Sequence, residues 1–240
     1  MPLQIAHITD LHLDEEYPFD NKNESRNRFD YILTDIRKQG IEKIICTGDI
    51  AQGDGIEYFF NQLKDVPLSI TLGNHDRFTE ISEYLPLGTS CSIQKLYRSD
   101  DVESVKLIFL DSSEGFIDNN QLLWLESEIK SLKPIIIFIH HPVLGLPLKV
   151  DEIGRLKNRK ELVSILKTCK NKVDIYCGHY HMESTLEYEN LTQHITPAVA
   201  FQIQKHAKTI EIDTSISGYR IIEIEKDRNS SQVRLLKHAD

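Results

Sequence analysis

Short apolar runs alternate with amphipathic stretches along most of the chain. Leu3–Ile8, Ile41–Cys46, Leu68–Leu72, Val105–Leu110, Ile135–Ile139 and Val173–Cys177 have the length and composition of buried strands. Between them, Asn27–Lys38 carries Phe29, Ile32, Leu33 and Ile36 at helical spacing, and Ile56–Leu63, Gln121–Leu132 and Asn158–Lys167 repeat that pattern. Each predicted helix is followed within a few residues by a strand, as βαβ units require. From Ser184 onward the pattern changes. Thr185–Tyr188, Thr209–Ile212, Tyr219–Ile224 and Val233–Leu236 read as strands with no helix between them. The expected fold is α/β, a four-layer αββα sandwich of two mixed β-sheets flanked by helices. No Pro/Gly/Ser-rich linker, low-complexity tract or internal repeat divides the chain, so residues 1–240 are expected to form a single domain.

A chain of 240 residues can bury a core without disulfides or a structural metal. Its 40% hydrophobic and 27% charged residues exclude the disordered and collagen-like classes. The longest apolar run, Ile135–Ile139, falls far short of the ~18 residues of a membrane span. The opening MPLQIAHITD has no basic n-region, so no secretory leader is expected. Cys46, Cys91, Cys169 and Cys177 form no CxxC pair and read as reduced, mostly buried thiols, which suggests a cytoplasmic protein. The net charge of −9 argues against nucleic acid as a partner, because phosphate backbones require a basic face. It leaves room for a small anionic substrate, since bound cations reverse the local field.

The histidines narrow the chemistry. Of ten, His12, His75, His140, His141, His179 and His181 stand at the ends of predicted strands, next to Gly, Asp, Asn or Pro. Asp10-Leu11-His12, Gly48-Asp49, Gly73-Asn74-His75-Asp76, His140-His141-Pro142 and Gly178-His179-Tyr180-His181 each follow one. Singly, each has an ordinary explanation as a cap or a turn. Together they place metal-ligand residue types beyond five strand ends, where open α/β sheets build their sites. Imidazoles and carboxylates with one amide oxygen suit Zn, Mn or Fe better than Ca. Asp10, His12, Asp49, Asn74, His140, His179 and His181 are too many for one tetrahedral site and about right for two metals sharing a carboxylate. Paired metals clamp the attacking and leaving oxygens of a phosphoryl centre and acidify a bound water. The glycines at 48, 73 and 178 let backbone approach so crowded a site.

The series DLH, GDIAQ, GNHD, HHP and GHYH resembles the calcineurin-like metallophosphoesterase superfamily from about Ile5 to the C-terminus. It is most like the class III cyclic-nucleotide phosphodiesterases and the related glycerophosphodiesterases. Asp111-Ser112, Gly115 and Gln121–Leu125, then Asp151-Glu152-Ile153-Gly154-Arg155-Leu156-Lys157-Asn158, Thr196-Pro197-Ala198 with Gln202, and Gly218-Tyr219-Arg220 extend the similarity. The resemblance implies two divalent transition-metal ions (Fe, Mn or Zn), with Asp10, His12 and His181 on the first and Asn74, His140 and His179 on the second. Asp49 would bridge them. It further implies that His75, steered by Asp76, stands beside the scissile phosphate as the catalytic group.

Hydrolysis of a small-molecule phosphodiester, foremost a 3',5'-cyclic nucleotide (cAMP), is the function this implies. A glycerophosphodiesterase or general metallophosphatase would share the ligand set. A non-catalytic protein-binding scaffold predicts eroded ligands, and no ligand position is substituted. No membrane partner is expected, and a homodimer is compatible with the reading. Elsewhere, His7 reads as a hydrogen-bonded sheet histidine, and His194, His206 and His238 as surface residues. His141 is open between support of the ligands and loop packing. Trp124, with Leu122, Leu123 and Leu125, reads as helix core, and Lys157-Asn158-Arg159-Lys160 as a solvated helix start. Arg77 and Arg155 each lie beside a motif, either facing solvent or receiving a phosphate oxygen.

Overall fold

The computed structural model describes residues 2–19, 21–85, 94–102, 104–205, 207, 209–225 and 229–238. In chain order the elements are β1 (Leu3–Ile8), α1 (Lys22–Lys38), β2 (Lys43–Cys46), α2 (Asp54–Gln62), β3 (Leu68–Ile70), α3 (Phe78–Ile81) and β4 (Arg98–Val102). They continue with β5 (Val105–Phe109), α4 (Asn119–Glu128), β6 (Ile135–Phe138), α5 (Lys149–Gly154), α6 (Arg159–Leu166) and β7 (Val173–Cys177). The strand-rich part comprises β8 (Ser184–Tyr188), β9 (Leu191–Ile195), β10 (Gln202–Ile203), β11 (Ile212–Asp213), β12 (Ile216–Ile224) and β13 (Asn229–Lys237).

These strands form two mixed sheets, ordered β13-β12-β1-β2-β3 and β4-β5-β6-β7-β9-β8, with β10 and β11 as a separate ribbon. β1–β2–β3 run parallel in the first sheet and β5–β6–β7–β9 in the second, while β12, β13, β4 and β8 pair antiparallel at the flanks. The apolar runs are continuous because both faces of the central strands are buried. In β6, Ile136 and Phe138 point between the sheets, where they meet Ile5, Ile45, Phe109, Tyr176 and Ile222. Ile135 and Ile137 point the other way, toward Leu122 and Leu125 of α4 and Leu162 and Leu166 of α6. The outer face of the first sheet is covered likewise by Phe29, Ile32, Leu33 and Ile36 of α1 and Phe59 of α2. Helix–sheet–sheet–helix layering is therefore the observed architecture, as the alternation predicts.

The elements differ from expectation where burial does not drive them. β4 was not foreseen because RSDDV is polar and half-exposed, held only as an edge strand on β5. The predicted strand Thr209–Ile212 survives only as the β11 pairing of Ile212 and Asp213 with β10. α4 starts at Asn119 because Asp118 caps it, its carboxylate accepting from Gln121 N at 3.0 Å, and it ends at Glu128. Leu132, expected at the end of that helix, is 92% exposed, and Leu123, expected in the core, is 66% exposed. Cys46, Cys169 and Cys177 are buried free thiols. Cys91 and His206 lie outside the described residues. Among the described residues, no helix is long and apolar enough to cross a membrane.

Candidate metal centre

Parallel strands deliver their C-terminal loops to one edge, and here the loops of both sheets are stitched together. Asp10 N donates to Gly48 O at 3.0 Å, and Leu11 N and His12 N donate to Asp49 O at 2.8 and 3.0 Å. Gly178 N reaches His140 O at 3.0 Å, and His179 N reaches the Asp10 carboxylate at 2.9 Å. Gly48 has φ +92°, and a Cβ there would lie 2.1 Å from Gly73 N, so only glycine lets the loops after β2 and β3 touch.

The hydrogen bonds fix the imidazole tautomers. A carbonyl can only accept, so His140 Nδ1, 2.8 Å from Thr47 O, carries a proton, which in the neutral ring leaves Nε2 as a lone pair. His181 donates Nδ1–H to Phe201 O at 3.1 Å, and His179 donates Nε2–H to Gly154 O at 2.8 Å. His12 Nδ1 lies 3.0 Å from Glu15 Oε1, an ion-pair contact on the side of the ring away from the cluster. In the neutral rings the inner nitrogens of the second pair confront each other as acceptors, and those of the first pair are as close. His12 Nε2 lies 3.1 Å from His181 Nε2, and His140 Nε2 lies 3.1 Å from His179 Nδ1. Asn74 Oδ1 joins the second pair at 3.2 Å from His140 Nε2, and Asp10 Oδ1 joins the first at 3.5 Å from His181 Nε2. Asp49 Oδ2 stands between the pairs, 3.3 Å from His140 Nε2 and 3.8 Å from His12 Nε2.

Acceptors this close repel unless a proton or a cation lies between them. Nitrogens held ~2.0–2.1 Å from one cation at angles of roughly 90–110° lie about 2.9–3.4 Å apart, so the spacing fits two cations, one per cluster. Asp10, His12 and His181 form one cluster whose ligand atoms lie within 4.8 Å of one another, and Asp49, His140 and His179 form another. Without an ion, each cluster pairs one imidazole that favours a proton with one that resists it. Burial raises the Asp10 carboxyl above its ordinary value, burial and the His140 charge push His179 down to about 3, and burial drives His181 well below its usual range. Burial also opposes protonation of His140 and His12, yet Asp49 holds His140 up at about 9 and Glu15, Asp49 and Asp10 raise His12, so a cation bound in either cluster would take the place of a proton. Backbone strain concentrates here as well. Among the described non-glycine residues, Asp10, His12, Asp49, His179 and His181 all adopt φ between +47° and +69°. Such left-handed conformations persist where surrounding structure over-determines them.

All seven expected ligand residues are thus brought together, but the expected His75–Asp76 pair is not formed. The Asp76 carboxylate accepts instead from Asp49 N, Ile50 N and Gly73 N, each at 2.8 Å. Burial and the neighbouring Asp49 push it up to about 7. Its place in the turn aims it at backbone, away from the ring. His75 Nδ1 pairs with Glu15 Oε2 at 3.1 Å, which raises His75 to about 9. Against the opposing effect of burial, contacts with His12 and His75 hold Glu15 at about 2. Glu15 was missed because the run Asp14-Glu15-Glu16 looks like an ordinary solvated turn.

Of the remaining histidines, His141 is buried, bonded through Nδ1 to Ser112 Oγ at 2.9 Å and packed on the His179 ring at 4.2 Å. His7 is a sheet histidine between Thr47 Oγ1 and Thr196 Oγ1, at 2.9 and 2.7 Å. His194 is no surface residue but half-buried, stacked on Tyr176 at 4.9 Å, and His238 bonds Ser217 Oγ at 2.7 Å. Arg77 is exposed and pairs with Glu80 at 3.4 Å, and Arg155 is exposed. In the expected solvated helix start, Arg159 is instead bound to Asp151 and Asn158 to Ile117.

A model of the calcineurin-like phosphoesterase family matches residues 3–183. A probable cyclic nucleotide phosphodiesterase of Fibrobacter succinogenes is 27% identical, over 92% of this chain and 89% of that one. The 3',5'-cyclic adenosine monophosphate phosphodiesterase CpdA of Haemophilus influenzae is 26% identical, over 99% and 92%. The glycerophosphodiester phosphodiesterase GpdQ of Enterobacter lignolyticus is 29% identical, over 83% and 78%. The crystal structure of a dimetal phosphatase from Danio rerio shares the fold across the whole of both chains, with a TM-score of 0.71 at 13% identity. The family match begins in β1 and ends after β7, so it takes in every one of the five strand-end motifs, and the chain belongs to the calcineurin-like phosphoesterase family.

Proposed function

We propose that this metallophosphoesterase hydrolyses a phosphodiester, with a 3',5'-cyclic nucleotide (cAMP) as its substrate, at a centre of two divalent transition-metal ions. The observation that carries the reading is the position of Asp49 between two facing imidazole pairs. Asp10, His12 and His181 would hold one ion, Asn74, His140 and His179 the other, and Asp49 both. The mixed nitrogen and oxygen donors suit Fe, Mn or Zn. Bound there, such ions neutralise charge on the phosphoryl oxygens and acidify water within their reach.

The chain's own groups handle the rest. With Nδ1 engaged by Glu15, the half-exposed His75 ring keeps Nε2 for the substrate and hands its proton to the departing alkoxide oxygen. Asp76 holds the loops after β2 and β3 at fixed separation, which sets the distance from Asp49 to Asn74 and His75. A cleft of about 790 Å³, sharing Glu15 with the site and lined also by Tyr17, Asn23, Arg26 and Asp54, is large enough for a nucleoside. Its carboxylates can accept from sugar hydroxyls and an exocyclic amine.

Support for a cyclic nucleotide comes from relatives named for that activity that align over nearly their full length. A glycerophosphodiester is the second reading, supported by the 29% identity to GpdQ. Steady-state rates on cyclic AMP, cyclic GMP, glycerophosphodiesters and a phosphomonoester decide between them. The highest kcat/KM is expected on cyclic AMP. A preference of tenfold or more for a glycerophosphodiester or a monoester overturns the assignment.

A further inference from the structure

The segment Asp151–Asn158 stands out in the sequence, yet none of its side chains enters the cluster of facing imidazoles and carboxylates. Its hydrogen bonds say what it does. Asp151 Oδ1 accepts from the Tyr180 hydroxyl at 2.8 Å and from Arg159 at 2.6 Å. Tyr180 stands in the loop between His179 and His181, so this bond ties α5 to the same turn that carries both histidines. At the other end, Asn158 Nδ2 donates to Ile117 O at 2.8 Å, and its Oδ1 accepts from Ile117 N at 3.0 Å. The segment is fastened at both ends. Between them Gly154 presents its carbonyl to His179 Nε2 at 2.8 Å.

We propose that this segment is a brace for the metal centre, in which Asp151, Tyr180 and Gly154 are positioning residues that make His179 offer Nδ1 to its metal. The proposal rests on His179 being a ligand. Three consequences of geometry carry it. The Gly154 carbonyl can only accept, so in the neutral ring it fixes the proton on Nε2 and the lone pair on Nδ1, the reverse of His140 and His181. The carbonyl can approach so closely because residue 154 has no side chain. A Cβ there would lie 2.6 Å from His179 Nε2 and displace the ring. The Asp151–Tyr180 bond is buried at both ends, and it ties α5 to the histidine loop.

The test is Co²⁺ titration of the full chain, followed by visible absorption, for the wild type and for Tyr180→Phe, Asp151→Asn and Gly154→Ala. The wild type is expected to take up two equivalents. Each variant is expected to bind one equivalent normally and the other about 10–100-fold more weakly, the range for losing an outer partner of a ligating histidine. The absorption of that one site should change, while Tyr180→Phe, which loses one buried hydrogen bond, still melts cooperatively in chelator, a few degrees below the wild type. That conservative variant carries the test if either of the others fails to fold. Two equivalents bound with wild-type affinity and spectrum in Tyr180→Phe and Gly154→Ala would overturn the brace alone. A parallel weakening of both equivalents would overturn it too. A wild type that binds no Co²⁺ overturns the dimetal reading on which it stands.

Discussion

Glu15 Oε2 lies 3.1 Å from His75 Nδ1, which ties the one imidazole of the GNHD turn to the loop after β1 and leaves Asp76 free for backbone. The same carboxylate touches His12 at 3.0 Å. A single side chain therefore orients a proposed metal ligand and the proposed proton donor.

From this follows a leaving-group test. His75→Ala should lower kcat on a cyclic nucleotide by about 10²–10⁴-fold, the usual contribution of a general acid, with metal content unchanged. The loss on a nitrophenyl ester should be severalfold smaller, because nitrophenolate departs without a proton. Glu15→Gln should show the same asymmetry at lower amplitude. Equal losses on both substrates would remove the donor role, and loss of metal from His75→Ala would make that residue a ligand.

Asp76 should behave differently. Its carboxylate collects three buried N–H groups from two loops, each at 2.8 Å. Asp76→Ala leaves those donors unsatisfied, at roughly 1–3 kcal/mol each before any relaxation or water entry. A net destabilisation of roughly 2–4 kcal/mol is expected in chelator, read from urea denaturation. Activity should fall equally for good and poor leaving groups. An asymmetry like that of His75→Ala would restore Asp76 to the catalytic pair.

The fold and the candidate ligands are legible for different reasons. Ile135–Ile139 announces a strand buried on both faces, and alternation divides its side chains between two cores. Metal-ligand residue types at strand ends show because they interrupt such runs abruptly. Glu15 and α5 stay hidden. Nothing about one carboxylate in an acidic run says which histidine it will meet, and a six-residue helix is too short to display a period. β4 is likewise invisible, since an edge strand needs only backbone pairing and RSDDV has no apolar face.

Acid stability offers a check on the packing of α1 against the first sheet. Asp35 on α1 accepts from Arg234 of β13 at 2.9 Å on both oxygens and from the Tyr219 hydroxyl of β12 at 2.8 Å. Burial would raise its pKa, but Arg234, Tyr219 and the more distant Lys38 hold it below the ordinary value. A depressed carboxylate stabilises fully above its unfolded pKa and loses that contribution as pH falls through the lower folded value. Asp35→Asn should therefore be less stable near neutral pH, by on the order of 1 kcal/mol because the arginine is part-exposed. The difference from wild type should shrink only below the usual carboxylate range. A difference independent of pH down to acid unfolding would count against the ion pair.

Asp49 is the decisive position among the proposed ligands. It is the carboxylate whose Oδ2 approaches both imidazole pairs, while its Oδ1 accepts from His75 N at 2.9 Å. Asp49→Ala takes one ligand from each proposed ion and removes the negative charge that screens two cations at short range. Metal content should fall from two equivalents to less than one, and kcat by on the order of 10²-fold or more. His181→Ala, which touches only the first cluster, should lose one equivalent and keep the other. Asp49→Asn separates the contributions: it retains an oxygen for the His75 N–H and preserves the turn, but lacks the charge. Metal loss in Asp49→Asn as severe as in Asp49→Ala would assign the effect to charge, whereas Asp49→Ala with two tightly held ions and a near-normal rate would show that the residue bridges nothing.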